Sequence, residues 1–430
     1  MTYPAAIEYL YGLQKHGIKL GLEPMQALLE AIGHPERRLR VLHVGGTNGK
    51  GSTVAMAAAI LRASGLRVGL YTSPHLVDFR ERIRIDGEMI SEDCLADLVG
   101  RVRRDVPPQA NLTFFEMTTA LALLYFAESQ VDLAVLEVGM GGRFDATNVV
   151  APIACAITTI ALDHQEYLGT TEEAIAFEKA GIIKSAVPVV IGRMGTDAGA
   201  VMHRVAAERA APLRRLGTDF CVEGSGDRFT YRGWGRVFEG LQCGLVGHHQ
   251  LDNAACAIAL LEAAGQGGVS ISETAVREGL RSVVWEGRLE VIEDAPRVLL
   301  DGAHNPAASR ALARYLGEFL VSHRHARIIL VWGMMRDKDH REFIEPLLPL
   351  VSEIVLTQAG LARSATVHEL RERVRGWPKP VHEVPLPAEA LQMAKKRASP
   401  GDLICVAGSL MLLGDIKAAV NGCGLSLIRG

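Results

Sequence analysis

The chain has 430 residues with 48% hydrophobic and 22% charged content, a composition that suits a globular protein with two hydrophobic cores and excludes disordered and collagen-like classes. A net charge of −3 gives no long-range attraction for nucleic acid, and no apolar run approaches the ~18 residues needed to span a bilayer. The seven cysteines (94, 155, 221, 243, 256, 405 and 423) form no CxxC pair, which argues against a zinc cluster or disulfide framework; we read them as reduced, mostly buried, small apolar residues.

The first segment, MTYPAAIEYLYGLQKHG, has no basic leader and carries Glu8 inside its first apolar stretch, so the expectation is a cytoplasmic protein without a secretion signal. From about 40 to 190, short β-rich runs alternate with helical ones: VLHV (41–44), VGLYTS (68–73), LAVLEVG (133–139), ACAITTI (154–160) and PVVIG (188–192). They are apolar nearly throughout, as strands covered on both faces must be, and predict a parallel sheet. Between them, STVAMAAAILRAS (52–64) and FEMTTALALLYFAES (115–129) have the length and Ala/Leu content of helices. Aromatic, glycine-punctuated runs over 213–247 predict antiparallel hairpins attached to the main sheet. A helix is expected from about Asn253 to Ala264, then a polar stretch to Trp285. A second α/β pattern follows in RLEVIE, RVLLDGAH, RIILVWG, EIVLT and DLICVAG. The expected fold is α/β with two domains, 1–286 and 287–430. The first is a P-loop-type parallel sheet with helices on both faces and a small antiparallel β extension, the second a smaller Rossmann-like α/β domain.

The strongest local signal is LHVGGTNGKGST, a strand running through a glycine-rich turn into a helix near Ser52. Glycines let backbone N–H groups turn inward toward phosphate, the helix N-terminus adds partial positive charge, and Lys50 adds a full one. Ser52 or Thr53 can then reach a metal or a phosphate oxygen. The spacing departs from GxxxxGK[ST]: three residues separate Gly45 from Gly49, and Gly51 intervenes between Lys50 and Ser52. This marks a particular subgroup of phosphate loops; the bland alternative is an ordinary turn before a helix.

In a doubly wound sheet, ligands gather at the carboxyl ends of the strands, where Ser73, Glu137 and His164 fall. Magnesium suits such a set, since it prefers hard oxygen ligands and keeps several waters. Each residue also has a structural alternative: a turn serine, a Glu137–Arg143 ion pair, and a histidine satisfied beside Asp163.

Together the motifs resemble those of the folylpolyglutamate synthase and bifunctional dihydrofolate synthase family, within the Mur ligase superfamily. The resemblance runs through GTNGKGST (46–53), TSPHL (72–76), ERIRIDG (81–87), FFEMTTALA (114–122), LEVGMGGRFDATN (136–148), ALDHQEYLG (161–169), EKAGIIK (178–184), HHQLDNAA (248–255), DGAHNP (301–306) and GMMRDKD (333–339). It implies an ATP- and magnesium-dependent ligase joining L-glutamate to dihydropteroate or folate through an acyl phosphate. Asn48, Gly49, Lys50, Gly51 and Ser52 would bind phosphate, and Asn253, Arg288 and Asp301 would meet the nucleotide from across the cleft. Ser73, Glu137 and His164 would hold the metal, and His304 would face the reaction centre beside Asn305. Lys179 would be the lysine that family members carbamylate; alone it would read as a helix-surface lysine paired with a neighbouring Glu. Thr113, Phe114, Phe115 and Glu116, with Phe144, Asp145 and Ala146, would bind the pterin. Two departures stand out: Phe144 where leucine is usual, and Glu286 for the usual proline before Gly287 and Arg288. FFEMTTALA resembles the bifunctional type, and the superfamily resemblance implies a monomer whose partners are small molecules, not nucleic acid or membrane.

Two rival readings remain at this point. A Mur-type ligase acting on a cell-wall nucleotide peptide would share the loop, although such enzymes carry an extra N-terminal domain and only about 40 residues precede the loop here. A non-catalytic nucleotide switch would bind nucleotide without glutamate-dependent ADP release.

Overall fold

The computed structural model describes residues 1–17, 21–106, 111–225 and 228–422. Eight strands form the first sheet: Val41–Gly45 (β1), Val68–Tyr71 (β2), Ile83–Ile85 (β3), Glu88–Met89 (β4), Leu133–Glu137 (β5), Pro152–Ile157 (β6), Val189–Ile191 (β7) and Leu213–Arg215 (β8). Their order is β4-β3-β2-β5-β1-β6-β7-β8, parallel except where β3 pairs with β2 and with β4. Strand alternation feeds two cores. Leu133 and Val135 of β5 join Val68 and Leu70 of β2 under the helices Lys50–Ala63 and His248–Ala264. Ala134 and Leu136 face the other way with Tyr71, against the helix Phe114–Glu128.

The 213–247 segment differs in part from expectation. Leu213–Arg215 is a parallel edge strand of the main sheet, and the hairpins form a separate antiparallel sheet of Cys221–Ser225 (β9), Arg228–Arg232 (β10) and Val237–Leu241 (β11). That sheet lays Phe229, Tyr231, Phe238 and Leu241 on the helix His248–Ala264, and Tyr231 donates to Glu262 at 2.6 Å. It is attached mainly by side-chain packing, with one isolated bridge between Leu216, just after β8, and Phe220, just before β9. The polar stretch before Trp285 contains a helix, Glu273–Ser282, capped by Ser272 and burying Ala275, Val276, Gly279 and Leu280. Gly279 lets it lie against the helix Lys50–Ala63, for a Cβ there would stand 2.5 Å from the Ile60 Cα.

The second sheet holds Glu290–Asp294 (β12), Arg297–Asp301 (β13), Ile328–Trp332 (β14), Glu353–Leu356 (β15), Val381–Glu383 (β16) and Leu403–Ala407 (β17). The order is β12-β13-β17-β14-β15-β16, parallel apart from the β12–β13 hairpin. Ile328, Leu330 and Trp332 of β14 enter one core and Ile329 and Val331 the other, so this sheet too is covered on both faces. The two α/β units follow the expected architecture.

Six cysteines are described, all free; Cys155, Cys256 and Cys405 are buried and Cys94, Cys221 and Cys243 half-buried, a wetter set than the sequence suggested. Cys423 lies outside the described residues. Among the described residues no helix is long and apolar enough to cross a membrane.

Candidate functional site

The carboxyl ends of β1, β2, β5 and β6 converge on the glycine-rich loop. β1 runs into Gly46, whose φ is +138 and whose Cβ, if present, would collide with the Thr158 hydroxyl. Gly49 (φ +85) caps the helix Lys50–Ala63 at a point where a Cβ would strike the Asn253 side chain. The loop is pinned from β6: the Thr47 N–H donates to the Thr159 carbonyl at 2.7 Å, the Asn48 N–H to the Thr159 hydroxyl at 3.0 Å, and the Thr158 hydroxyl to the Asn48 carbonyl at 2.6 Å. Lys50 folds back over the loop, its Nζ 3.1 Å from the Gly46 carbonyl and 3.2 Å from that of Thr47. Ser52 is buried in the first helical turn, and the buried Thr53 hydroxyl finds no partner among the described residues.

Glu137 ends β5 and is 5% exposed. Its carboxylate accepts the Ser73 N–H at 3.1 Å, and both residues line a cavity of about 130 Å³ with Gly51, Trp285 and Arg288. The Arg143 alternative does not hold, because Arg143 donates to Glu178 at 2.7 Å. Burial raises the Glu137 carboxyl, and the charges of Lys50, Arg288 and Arg82 with the Ser73 N–H only partly oppose it. A buried carboxylate without an ion-pair partner is the kind of group a hard cation satisfies. Among the described residues no group of three or more His, Cys, Asp and Glu could hold a metal, so a site here would draw on the Ser73 hydroxyl and on ligand phosphates. His164 stands beside Asp163 and does not line the cavity; burial, with Lys338, Lys50 and His304 nearby, lowers its ring to about 4 despite Asp163.

Lys179 departs from its surface alternative. It is 4% exposed, and its Nζ donates to the Gly46 carbonyl at 3.0 Å. Burial, and then the Lys50 charge, push its amine down to about 7.

Across the cleft, the loop after β13 faces the phosphate loop. Asp301 accepts the Leu289 and Ala303 N–H groups, both at 3.0 Å, and so braces the segments that carry Arg288 and His304. Asn305 and Asn48 exchange amide hydrogen bonds of 2.9 and 3.2 Å. Beside them Asp163, 4% exposed, accepts from Lys338 at 2.6 Å and Asn305 at 3.2 Å, with His304 Nε2 at 3.5 Å. Burial would raise the Asp163 carboxyl, but the His304 hydrogen bond and the charges of His304, His164 and Lys338 hold it well below the usual carboxylate range. Asp163 and Lys338 are residues the sequence reading did not single out, and Asn305 had no role there.

The segments expected to bind pterin lie on the helix Phe114–Glu128 and beside it. Thr113 and Glu116 form a capping box, with the Thr113 N–H donating to Glu116 at 2.7 Å and the Glu116 N–H to the Thr113 hydroxyl at 3.2 Å. Asp145 likewise caps the turn Ala146–Val149 and accepts the Met140 N–H at 2.9 Å. Phe114 stacks on Tyr11 at 5.5 Å beneath the Arg82 guanidinium, Phe115 tilts against Tyr71, and Phe144 lies under Arg143. Arg82, in the turn before β3, flanks this region, whereas Arg84 of β3 lies over Trp285.

Residues 44–261 match the Mur ligase middle domain, and residues 287–410 match the Mur ligase glutamate ligase domain. A dihydrofolate synthase/folylpolyglutamate synthase of Bacillus subtilis (strain 168) is 35% identical over 429 residues, covering 97% of this chain and 98% of the relative. The chain belongs to the dihydrofolate synthase/folylpolyglutamate synthase family of Mur ligases. It is therefore a ligase and not a passive nucleotide switch. Two solved structures follow the whole chain. Escherichia coli FolC in complex with DHPP and ADP superposes with a TM-score of 0.89 at 32% identity, covering 98% of each chain. A bifunctional folylpolyglutamate synthase/dihydrofolate synthase from Yersinia pestis c092, complexed with AMPPNP and Mn ion, gives 0.87 at 32% identity and the same coverage.

Proposed function

We propose that this ligase uses ATP to join L-glutamate to dihydropteroate, forming dihydrofolate, and to folates that already carry glutamate, releasing ADP and phosphate. The observation that carries this reading is the reciprocal amide pair of Asn48 and Asn305, which holds the phosphate loop against the loop after β13. A nucleotide on that loop would lie between two α/β units, which we take as residues 1–286 and 287–430, a division supported by the two separate sheets; we take the protein itself as a cytoplasmic monomer.

In this reading the loop from Asn48 to Ser52 binds the ATP phosphates through the N–H groups of Gly49 to Ser52 and the Lys50 ammonium, with Asn253, Arg288 and Asp301 completing the nucleotide site; the Asn48 N–H stays on the Thr159 hydroxyl. Ser73 and Glu137 would hold Mg²⁺ together with the ligand phosphates, while His164, expected to join them, stands outside their cavity beside Asp163; the ion, when bound, would offset charge on the phosphate oxygens. Thr113–Glu116 and Phe144–Ala146 take the pterin through aromatic faces and backbone, because the side chains of Thr113, Glu116 and Asp145 are already engaged in caps. The substrate carboxylate attacks the γ-phosphorus and ADP leaves; the glutamate amine then attacks the acyl carbon, phosphate leaves, and the nitrogen loses a proton. His304, between Asp163 and the cleft, faces that second step. An acyl phosphate hydrolyses in water, so a cleft closed by residues of both units protects it.

Lys179 is the proposed carbamate. Carbamylation needs a neutral amine, and a buried lysine brought down to about 7 supplies one at pH 8. With ¹³C-bicarbonate at pH 8 a carbamate carbon resonance is expected; below about pH 6 the amine is protonated and the signal should vanish. A Lys179→Met protein with the same resonance would place the carbamate elsewhere.

The substrate assignment is tested by glutamate-dependent ADP release on dihydropteroate and on tetrahydrofolate monoglutamate in parallel. Turnover of both is expected. Turnover of the second alone would make the protein a monofunctional folylpolyglutamate synthase, and turnover of neither would overturn the assignment.

A further inference from the structure

A groove of about 800 Å³ opens beside the catalytic cleft, between the helices Lys50–Ala63 and Glu273–Ser282 and the β3–β4 hairpin. Its floor is apolar and small-residued, formed by Ala55, Ala59, Val68 and Leu70. It joins the cavity at Glu137 and Ser73 through shared walls, since Arg84, Val284 and Trp285 line both. Trp285 stands at the junction, its Nε1 2.8 Å from where a Gly51 Cβ would be and its ring 5.8 Å from the Arg84 guanidinium.

Three arginines, Arg62, Arg84 and Arg281, face this groove, and among the described residues none of them forms a carboxylate ion pair. Arg62 lies over the hairpin turn at Gly87, and Arg84 donates to the Glu81 carbonyl at 3.2 Å. Two carboxylates also line the groove. Asp86 accepts the Val68 N–H at 2.8 Å, and Glu278 is exposed.

Resting on the reading above, we infer that this groove receives the γ-glutamyl tail of substrates that already carry several glutamates. The reacting carboxylate must reach the same cavity whatever the tail length, so added units have to loop out of the direct path from the pterin into space that opens on the cavity, as this groove does. The pterin segments lie on the other face of the sheet: Tyr71 of β2 meets Phe115, whereas Val68 and Leu70 face the groove. Each γ-glutamyl unit brings one α-carboxylate, and arginines without carboxylate partners match that repeating charge. The volume is that of a site for a sizeable small molecule.

The test compares tetrahydrofolate mono- and triglutamate on the wild type and on the double variant Arg62→Ala/Arg281→Ala, which leaves Arg84 and Trp285 in the cleft wall untouched. The KM for the triglutamate should rise about tenfold, as for two partly exposed ion pairs, with the monoglutamate KM and both kcat values nearly unchanged. An unchanged triglutamate KM, or an equal rise for both substrates, would overturn the inference. Calorimetric Kd values for the same ligands need no turnover. A tail-length-dependent loss of binding in the variant without wild-type turnover would contradict the reaction and uphold the groove; equal Kd values in both proteins would sink the groove alone.

Discussion

Replacing Lys50 by alanine is expected to lower kcat by about 10²–10³, or roughly 3–4 kcal/mol of barrier, by analogy with the loss of one preorganised oxyanion donor. The Lys50 ammonium sits on the Gly46 and Thr47 carbonyls, at the mouth of the helix where phosphate charge would gather. The loop itself is pinned by Thr158 and Thr159, so the variant should fold normally and bind nucleotide more weakly. Steady-state ADP release with a urea midpoint as control reads both quantities. Turnover near that of the wild type would remove Lys50 from the chemistry.

The second large effect is expected at Asp163. Asp163→Ala leaves the Lys338 ammonium, 10% exposed, with only the exposed Asp337 carboxylate at 3.7 Å in place of the contact at 2.6 Å, and removes an acceptor from Asn305. Removing one partner of a buried pair costs about 3–5 kcal/mol, mostly through the charge left behind. Because Lys338 lies in the second unit and Asp163 in the first, the loss should appear as a lower urea midpoint and faster proteolysis between the units. Adding Lys338→Met to Asp163→Ala should restore part of the stability, since no buried charge then remains; a double variant as weak as the simple sum would contradict the pairing. The sign with pH follows from the depressed carboxyl. Its contribution is fully present above the unfolded value of about 4 and is lost only as pH falls below that, so pH 5–8 should leave this contact intact.

Much of this architecture is readable in the chain because the strands are covered on both faces: an unbroken run such as LAVLE or RVLLD has few other places to go. Glu137 announced itself as a carboxylate at the end of an apolar strand, and it lies buried in the cleft. The β3–β4 hairpin was missed because strands of three and two residues carry too little periodicity. The polar helix Glu273–Ser282 hid behind its charged face, though Ala275, Val276 and Leu280 keep helical spacing. The Thr113-x-x-Glu116 spacing is itself a capping-box signature and could have been read as such. What no local pattern could supply is the contact across the cleft: Asp163 meets Lys338 at a separation of 175 residues, and Asn48 meets Asn305 at 257. The burial of Lys179 is of the same kind, for its partner is the Gly46 carbonyl 133 residues away.

The central claim, that ATP activates the substrate carboxylate itself, is tested most directly by running the reaction on dihydropteroate labelled with ¹⁸O in that carboxylate and analysing the phosphate released. Transfer of one ¹⁸O to each phosphate is the expected result, because the acyl phosphate carries a carboxylate oxygen away with phosphorus. Amide formation with unlabelled phosphate would contradict the acyl phosphate and the account built on it.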